Sequence, residues 1–370
     1  MTSAGVGLCA ALQGCVLGTA AGDTLGLPYE NLSRDAVRRI LREPLEQSLI
    51  RGRGLVSDDT EHTLMTMLSL RESGTDAALF QRRLAARLRW WLVAGPPGVG
   101  SATARAIIKS WLGFPPRSSG VFSAGNGPSM RAALLGVVFA DEPERMRDFV
   151  HASTLITHTD PQAFHAALAV AVAAACARHA GPMASADALR AFQASYARVA
   201  PTDDAFVAPS KLIADAIGAG WSLDDFAHAL GAAKGVSGYS MQTVPAALFA
   251  WMRHGADFRA AVTAIVRCGG DTDSTAAIVG AIVGAGVGAA GIPASWLAKI
   301  LAWPRSVDWM RRQCEALSVA GSTRAPVTLS SRLRELAWLP WALVRNVATF
   351  GVLVHVLLRR TLAVAMRRAG

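Results

Sequence analysis

Gly14, Gly18 and Gly22 recur every fourth residue in an apolar stretch near the N-terminus, and Gly280, Gly284 and Gly288 repeat that spacing in the uncharged run from Ala276 to Ile292. Glycine costs a helix about 1 kcal/mol relative to alanine. Three on one helical face need a compensating reason, and close backbone approach of a neighbour supplies it. The spacing predicts helices over 10–22 and 276–292 that pack against each other or against one shared helix. Small residues at this interval also occur in membrane-spanning pairs, but 276–292 is short for a span and has Asp271 and Asp273 at its mouth. It is read as a buried core helix. Ala4 to Ala21 has no basic leader and runs into Asp23 and Glu30, so it is read as the first helix of the fold rather than a secretory signal. Hydrophobic residues make up 52% of the 370, with abundant alanine, and β-branched runs are few, which favours packed helices over sheets. The expectation is a compact all-α domain to about residue 318–320.

Just before the second glycine stripe the chain reads Arg267-Cys268-Gly269-Gly270-Asp271-Thr272-Asp273-Ser274-Thr275. The Gly-Gly pair predicts a turn with positive φ, and the Asp or Ser after it reads as a helix N-cap. Asp271, Asp273 and Ser274 then point outward from a buried turn. Hard oxygen donors converging there suit Mg²⁺, Mn²⁺ or Ca²⁺; an ordinary capped helix start accounts for the same motif alone. A second acidic cluster, Ser57-Asp58-Asp59-Thr60-Glu61, also opens an apolar helical pattern. Asp58 and Glu61 fit a capping box, yet a cap needs one acid, and adjacent Asp58 and Asp59 repel unless a cation lies between them. Asp23 and Glu30 lie in apolar surroundings, where an unpaired carboxylate is costly; the simpler account of them is a cap and a solvated loop residue.

Residues 75–92 read as a helix whose Trp90 and Trp91 serve packing. Ser123 to Arg131 is a glycine-rich turn entering a helix, where exposed N–H groups suit phosphate. His158-Thr159-Asp160-Pro161 opens an alanine-rich helix over 162–180. Further helices are predicted at Val244–Arg253, with Pro245 near its first turn, and at Phe258–Cys268. The five cysteines form no C-x-x-C pair, which argues against zinc and disulfides and for a reducing, cytoplasmic setting.

Taken in order, Gly22-Asp23…Glu30, Ser57 to Thr60, Ser123 to Arg131, Thr157 to Pro161 and Gly270 to Ser274 resemble the ADP-ribosylglycohydrolase family over roughly residues 10–290. The resemblance implies an orthogonal all-α bundle with a binuclear Mg²⁺ or Mn²⁺ centre. Matched motif by motif, Ser57, Asp58, Asp59, Asp271, Asp273 and Ser274 are the implied metal ligands; Ser274 stands where the family often has Thr. Asp58 or Asp59 is the implied proton acceptor for the attacking water, and Glu30 matches a glutamate that ligates or gates the site. Ser123, Gly125, Asn126, Gly127 and Met130 match the loop that cradles the diphosphate and ribose, and His158 a histidine that contacts ADP-ribose. Where some relatives carry an aromatic for adenine this loop has Ala124, which leaves Phe122 or Tyr239 for that role. The implied activity is metal-dependent hydrolysis of the bond joining ADP-ribose to a protein side chain or small molecule. The alternative is a non-catalytic ADP-ribose-binding or target-shielding protein on the same scaffold.

The net charge of +10 is concentrated at one end: eight arginines against Glu335 put +7 within 324–370. The main domain therefore carries no phosphate-backbone stripe, and a nucleic-acid partner is not expected. Residues 321–370 are read as a linker followed by an apolar, Arg-rich helical tail. Leu336 to Leu358 is apolar but interrupted by Pro340, Arg345, Asn346 and His355. That suits a helix lying on an acidic membrane surface, with packing on the main domain or a second subunit as the other reading.

Overall fold

The glycine faces meet. In the computed structural model, which describes residues 5–200, 204–320, 337–352 and 354, helices Leu8–Gly26 and Thr272–Val287 cross antiparallel. A Cβ added at Gly14 would stand 2.0 Å from the Gly284 carbonyl oxygen, at Gly18 2.1 Å from that of Gly280, at Gly22 2.0 Å from that of Ala276, and at Gly26 2.2 Å from that of Thr272. Each step of four along one helix is matched by a step of four back along the other. Gly288 closes this seam where its helix ends at φ +67°: its Cα would lie 2.8 Å from a Cβ added at Gly14, and a Cβ on Gly288 would meet the Ala10 carbonyl oxygen at 3.7 Å. The first helix runs beyond the expected 10–22 at both ends, whereas the second starts four residues before 276 and stops at Val287, short of the expected 292.

Around the seam pack Pro161–Ala180, Ser240–His254, Phe258–Val266 and Val307–Ala320. The alanines of Pro161–Ala180 are buried almost throughout, and their small size admits a second close crossing: a Cβ on Gly136 would lie 1.9 Å from the Ala171 carbonyl oxygen. Pro245 sits in the second turn of its helix, not the first, because that helix begins at Ser240. Helices Asp58–Ser73 and Ala77–Val93 pack together on the other flank of the first helix's site end. Trp91 is buried there while Trp90 is exposed. The strands among the described residues are two-residue Gly54–Leu55 and Ile300–Leu301, paired in parallel. The architecture is the expected all-α one. All five cysteines are free.

Leu8–Tyr29 and Pro161–Ala180 are the described helices long and apolar enough to cross a membrane, and both are mostly buried in the bundle. Of the run 276–292, the part to Val287 belongs to a buried core helix, and 289–291 is a separate short turn with Ala290 and Gly291 exposed. The expected linker 321–326 and the tail beyond Val354 lie outside the described residues. Within the tail, residues 339–352 are helical and pack against the main body.

Candidate functional site

The seam's antiparallel sense fixes where the site is. It brings the C-terminal end of the first helix, with Asp23, beside the N-terminal end of Thr272–Val287, with Asp271 and Asp273. Thr272 Oγ1 donates to the Gly26 carbonyl at 2.9 Å, which locks that end. Upstream, Gly269 (φ +70°) and Gly270 (φ +87°) make the predicted turn. It is clamped on both sides: Gly270 N donates to Leu32 O at 2.7 Å, Asn31 N to Gly270 O at 2.8 Å, and Asp271 N to Val236 O at 2.7 Å. A Cβ at Gly270 would stand 2.0 Å from the Val236 carbonyl oxygen, so only glycine fits. The same clamp carries Glu30 to the site.

Asp271 is the N-cap of Thr272–Val287 by position, but its side chain makes no capping bond. Its Oδ2 instead accepts from Asn126 Nδ2 at 2.7 Å. At the other acidic motif, Ser57 is the N-cap, accepting from Asp59 N. The expected Asp58–Glu61 capping box is not formed. Glu61 turns away and accepts from Trp91 Nε1 at 2.5 Å and pairs with Arg345. The capping role falls to Asp23, from another helix. Its carboxylate accepts from Ser57 N at 2.9 Å and from both Thr60 N and Thr60 Oγ1. Sequence reasoning left Asp23 out of the site; the signal was a lone acid in an apolar helix.

The two acidic motifs meet directly, with Ser274 Oγ donating to Asp59 Oδ2 at 3.2 Å. Asp23, Glu30, Asp58, Asp59, Asp271 and Asp273 all lie within electrostatic reach of one another. Burial pushes Asp23 up to about 6, against the hydrogen bonds from Thr60 and Ser57. Desolvation and neighbouring carboxylates raise Asp58, Asp59 and Asp273 well above the usual carboxylate range, and raise Glu30. Asp58 keeps some exposure toward the cavity, but it lies deep enough that desolvation still leads. Among the described residues no Lys or Arg pairs with any of the six, and Asp59 Oδ1 and Asp273 Oδ1 are buried without a hydrogen-bond partner. Six crowded carboxylates, two orphaned oxygens and flanking hydroxyls form a donor set that fits hard divalent cations. As the side chains stand, no three Asp, Glu, His or Cys among the described residues are arranged to hold one ion, so a closed shell requires rotation of these carboxylates or oxygen donors from outside the chain.

Beside the carboxylates opens a cavity of about 330 Å³ lined by Glu30, Asp58, Ser123, Gly125, Asn126, Gly127, Met130, His158, Asp271, Asp273 and Ser274. Of the expected residues, Ser57 and Asp59 stand behind this lining and the rest face it. Gly125 and Gly127 lie close against His158: Cβ atoms there would stand 3.1 Å from its Nε2 and 3.0 Å from its Cε1. Asn126 spans the gap to the acidic side through Asp271 and also donates to Thr243 Oγ1 at 3.1 Å. Met130 is buried at the rim, and its carbonyl accepts from Thr63 Oγ1.

Arg131, not singled out by the sequence, holds this loop from beneath. It is fully buried and donates to Gly127 O, Ser153 O and Thr157 Oγ1 at 3.1, 3.0 and 2.9 Å. Thr157 Oγ1 thus accepts from Arg131 and also shares a hydrogen bond of 2.9 Å with His158 Nδ1. Burial and the Arg131 charge lower His158 to about 3. The imidazole is neutral and lines the cavity. Phe122 and Tyr239, the adenine candidates, are both exposed; Tyr239 bridges to Gly125 through its backbone.

On the far side of Glu30, Asp58 and Asp273, a smaller space of about 30 Å³ is closed by Arg345, Asn346 and Thr349 of helix 339–352. Packing of the tail on the main domain was one of the expected alternatives, but its place beside the site was not expected.

A model of a known protein family, described as ADP-ribosylglycohydrolase, matches residues 7–326. An uncharacterised protein of Archaeoglobus fulgidus is 32% identical over 303 residues, covering 77% of this chain and 90% of its own. ADP-ribosyl-[dinitrogen reductase] glycohydrolase of Rhodospirillum rubrum is 26% identical over 312 residues, covering 82% and 94%. A solved structure titled ADP-ribosylglycohydrolase-related protein complex superposes with a TM-score of 0.63 at 25% identity, over 85% of this chain and 99% of that one.

Proposed function

Because the chain belongs to the ADP-ribosylglycohydrolase family and is a hydrolase acting on glycosyl bonds of ADP-ribosylated substrates, we propose that it cleaves at the ribose anomeric carbon in a reaction that depends on two Mg²⁺ or Mn²⁺ ions. The carrying observation is the convergence of Ser57-Asp58-Asp59 and Asp271-Thr272-Asp273-Ser274 on one side of a cavity whose other side is a glycine loop. Ser57, Asp58, Asp59, Asp271, Asp273 and Ser274 would hold the ions. When bound, they would neutralise the carboxylates, orient the ribose hydroxyls and acidify a water.

The chain's own groups do the rest. The backbone around Gly125-Asn126-Gly127 faces the cavity without side chains in the way, and suits a diphosphate. His158, which lines the cavity, hydrogen-bonds the ribose or diphosphate. Asn126, held between Asp271 and Thr243, keeps loop and acidic cluster in register, so binding energy from the remote diphosphate positions the sugar. Asp58, the cavity-facing member of its pair, accepts the proton of the attacking water. Glu30, partly exposed at the junction of both spaces, gates the acceptor side. Positive charge developing on the ribose is balanced by the surrounding carboxylates.

The test is release of free ADP-ribose from ADP-ribosylated arginine and serine peptides, with Mg²⁺, with Mn²⁺ and with excess chelator. Release that stops in chelator and returns with either ion is the expected result. Undiminished release in chelator sinks the metal-dependent reading.

A further inference from the structure

Helix 339–352 is built inside out. Every described residue from 337 to 354 that is exposed is apolar: Ala337, Pro340, Trp341, Leu343, Val344, Val347, Ala348, Phe350, Gly351 and Val354. Every polar one is turned toward the main body. Asn346 Nδ2 donates to the Ala94 carbonyl at 2.8 Å, Arg345 pairs with Glu61, and Thr349 is buried. An ordinary surface helix has the opposite arrangement. Trp341, Val344, Val347 and Phe350 follow one another at three-residue intervals and are 56%, 59%, 66% and 62% exposed. Trp303 of the main body, also about half exposed, meets Trp341 edge-on at 5.3 Å and widens the face.

We propose that this outer face seats the protein on a bilayer surface that carries anionic lipid. Residues 339–352 make fourteen helical residues, roughly 21 Å, and the polar side of this stretch is pinned to the main body, so the stretch lies flat. Two flanking tryptophans suit the headgroup level, where an apolar ring with a polar N–H is favoured. Charge selects lipid over a second copy of the chain. The sequence on either side of the helix carries Arg324, Arg332, Arg334, Arg359, Arg360, Arg367 and Arg368 against one acid, Glu335. A second copy would bring the same excess of positive charge again, whereas anionic headgroups neutralise it. The proposal does not depend on the catalytic reading.

The full-length chain is sedimented with vesicles of phosphatidylcholine alone and of phosphatidylcholine mixed with phosphatidylglycerol. Binding to the anionic vesicles only, weakened by salt, is expected. Val344→Glu with Val347→Glu should lower partitioning on the order of tenfold or more, while circular dichroism and release of ADP-ribose from soluble substrate stay as in the parent. If the parent stays in the supernatant with both vesicle types, the proposal fails. It also fails if the double variant binds as well as the parent. A concentration-dependent dimer that the double variant abolishes, without vesicle binding by the parent, assigns the face to a second copy instead.

Discussion

Ser274 Oγ and Asp59 Oδ2 stand 3.2 Å apart across 215 residues of sequence. That bond joins two helix N-termini whose acids would otherwise only repel. It exists because the glycine seam lets two helices approach far more closely than side chains allow, delivering Asp271, Asp273 and Ser274 to the place where Asp23 holds the start of Asp58–Ser73.

Replacing Asp58 or Asp273 with Asn should lower turnover by on the order of 10²–10⁴ while leaving the far-ultraviolet circular dichroism unchanged. In chelator the same variants should melt no lower than the parent, because each removes a carboxylate whose charged form is disfavoured by its neighbours. A variant that keeps full turnover removes that residue from the mechanism.

Divalent ions should raise the melting temperature of the parent at neutral pH. At a hundredfold excess over Kd the gain is about 2.7 kcal/mol per site. The effect should fade in acid, where the carboxylates protonate, and should be much reduced in Asp273→Asn. Thermal melts with Mn²⁺ and with chelator decide this without any substrate.

His158 is held neutral in the folded chain, down to about 3, whereas in the unfolded chain it takes a proton near 6.5. Between those values the unfolded state binds more protons, so stability falls as pH is lowered from about 6.5 toward 3, by roughly 1.4 kcal/mol per unit as an upper bound. His158→Gln cannot titrate and should flatten the dependence of urea-unfolding stability on pH in that window. An unchanged slope would place the histidine's proton elsewhere.

Gly18→Ala should destabilise by roughly 1–3 kcal/mol or more, since the new methyl meets the Gly280 carbonyl oxygen at 2.1 Å. It should also weaken Mn²⁺ binding, because separating the helices separates the acidic motifs. Gly218→Ala, with nothing within 4 Å, is the control and should be neutral or stabilising. Denaturant melts and Mn²⁺ titration of both variants make the comparison.

Arg345→Met should leave the Glu61 carboxylate buried without its cation, at a cost of about 3–5 kcal/mol to docking of helix 339–352. Limited proteolysis near that helix should accelerate, and adding Glu61→Gln should restore much of the protection. Equal, additive effects of the two changes would show the pair to be uncoupled.

The fold class and the meeting of the glycine stripes were legible because helical period and glycine spacing are properties of sequence alone. The acidic motifs were legible as candidates for the same reason. What was not legible depends on partners brought from elsewhere in the chain. Ser57-Asp58-x-x-Glu61 looks like a self-contained cap, yet Asp23 supplies much of the capping and Glu61 goes to Trp91 and Arg345. Arg131 gives no periodic signal; its importance lies in carbonyls that only the folded loop presents to it. For helix 339–352, a period shows that two faces differ but not which of them meets the protein; the sequence left a membrane surface, the main domain and a second subunit open, and only the structure shows the polar side turned to the main body.

The seam also dictates an order of events during synthesis. Helix Leu8–Gly26 emerges early, but Thr272–Val287, its most extensive contact, is completed only some 260 residues later. At ordinary elongation rates that is an interval of roughly 13–50 s. Throughout it, an apolar helix long enough to be mistaken for a membrane segment waits beside the ribosome without its glycine-matched mate, and chaperone demand should be greatest then.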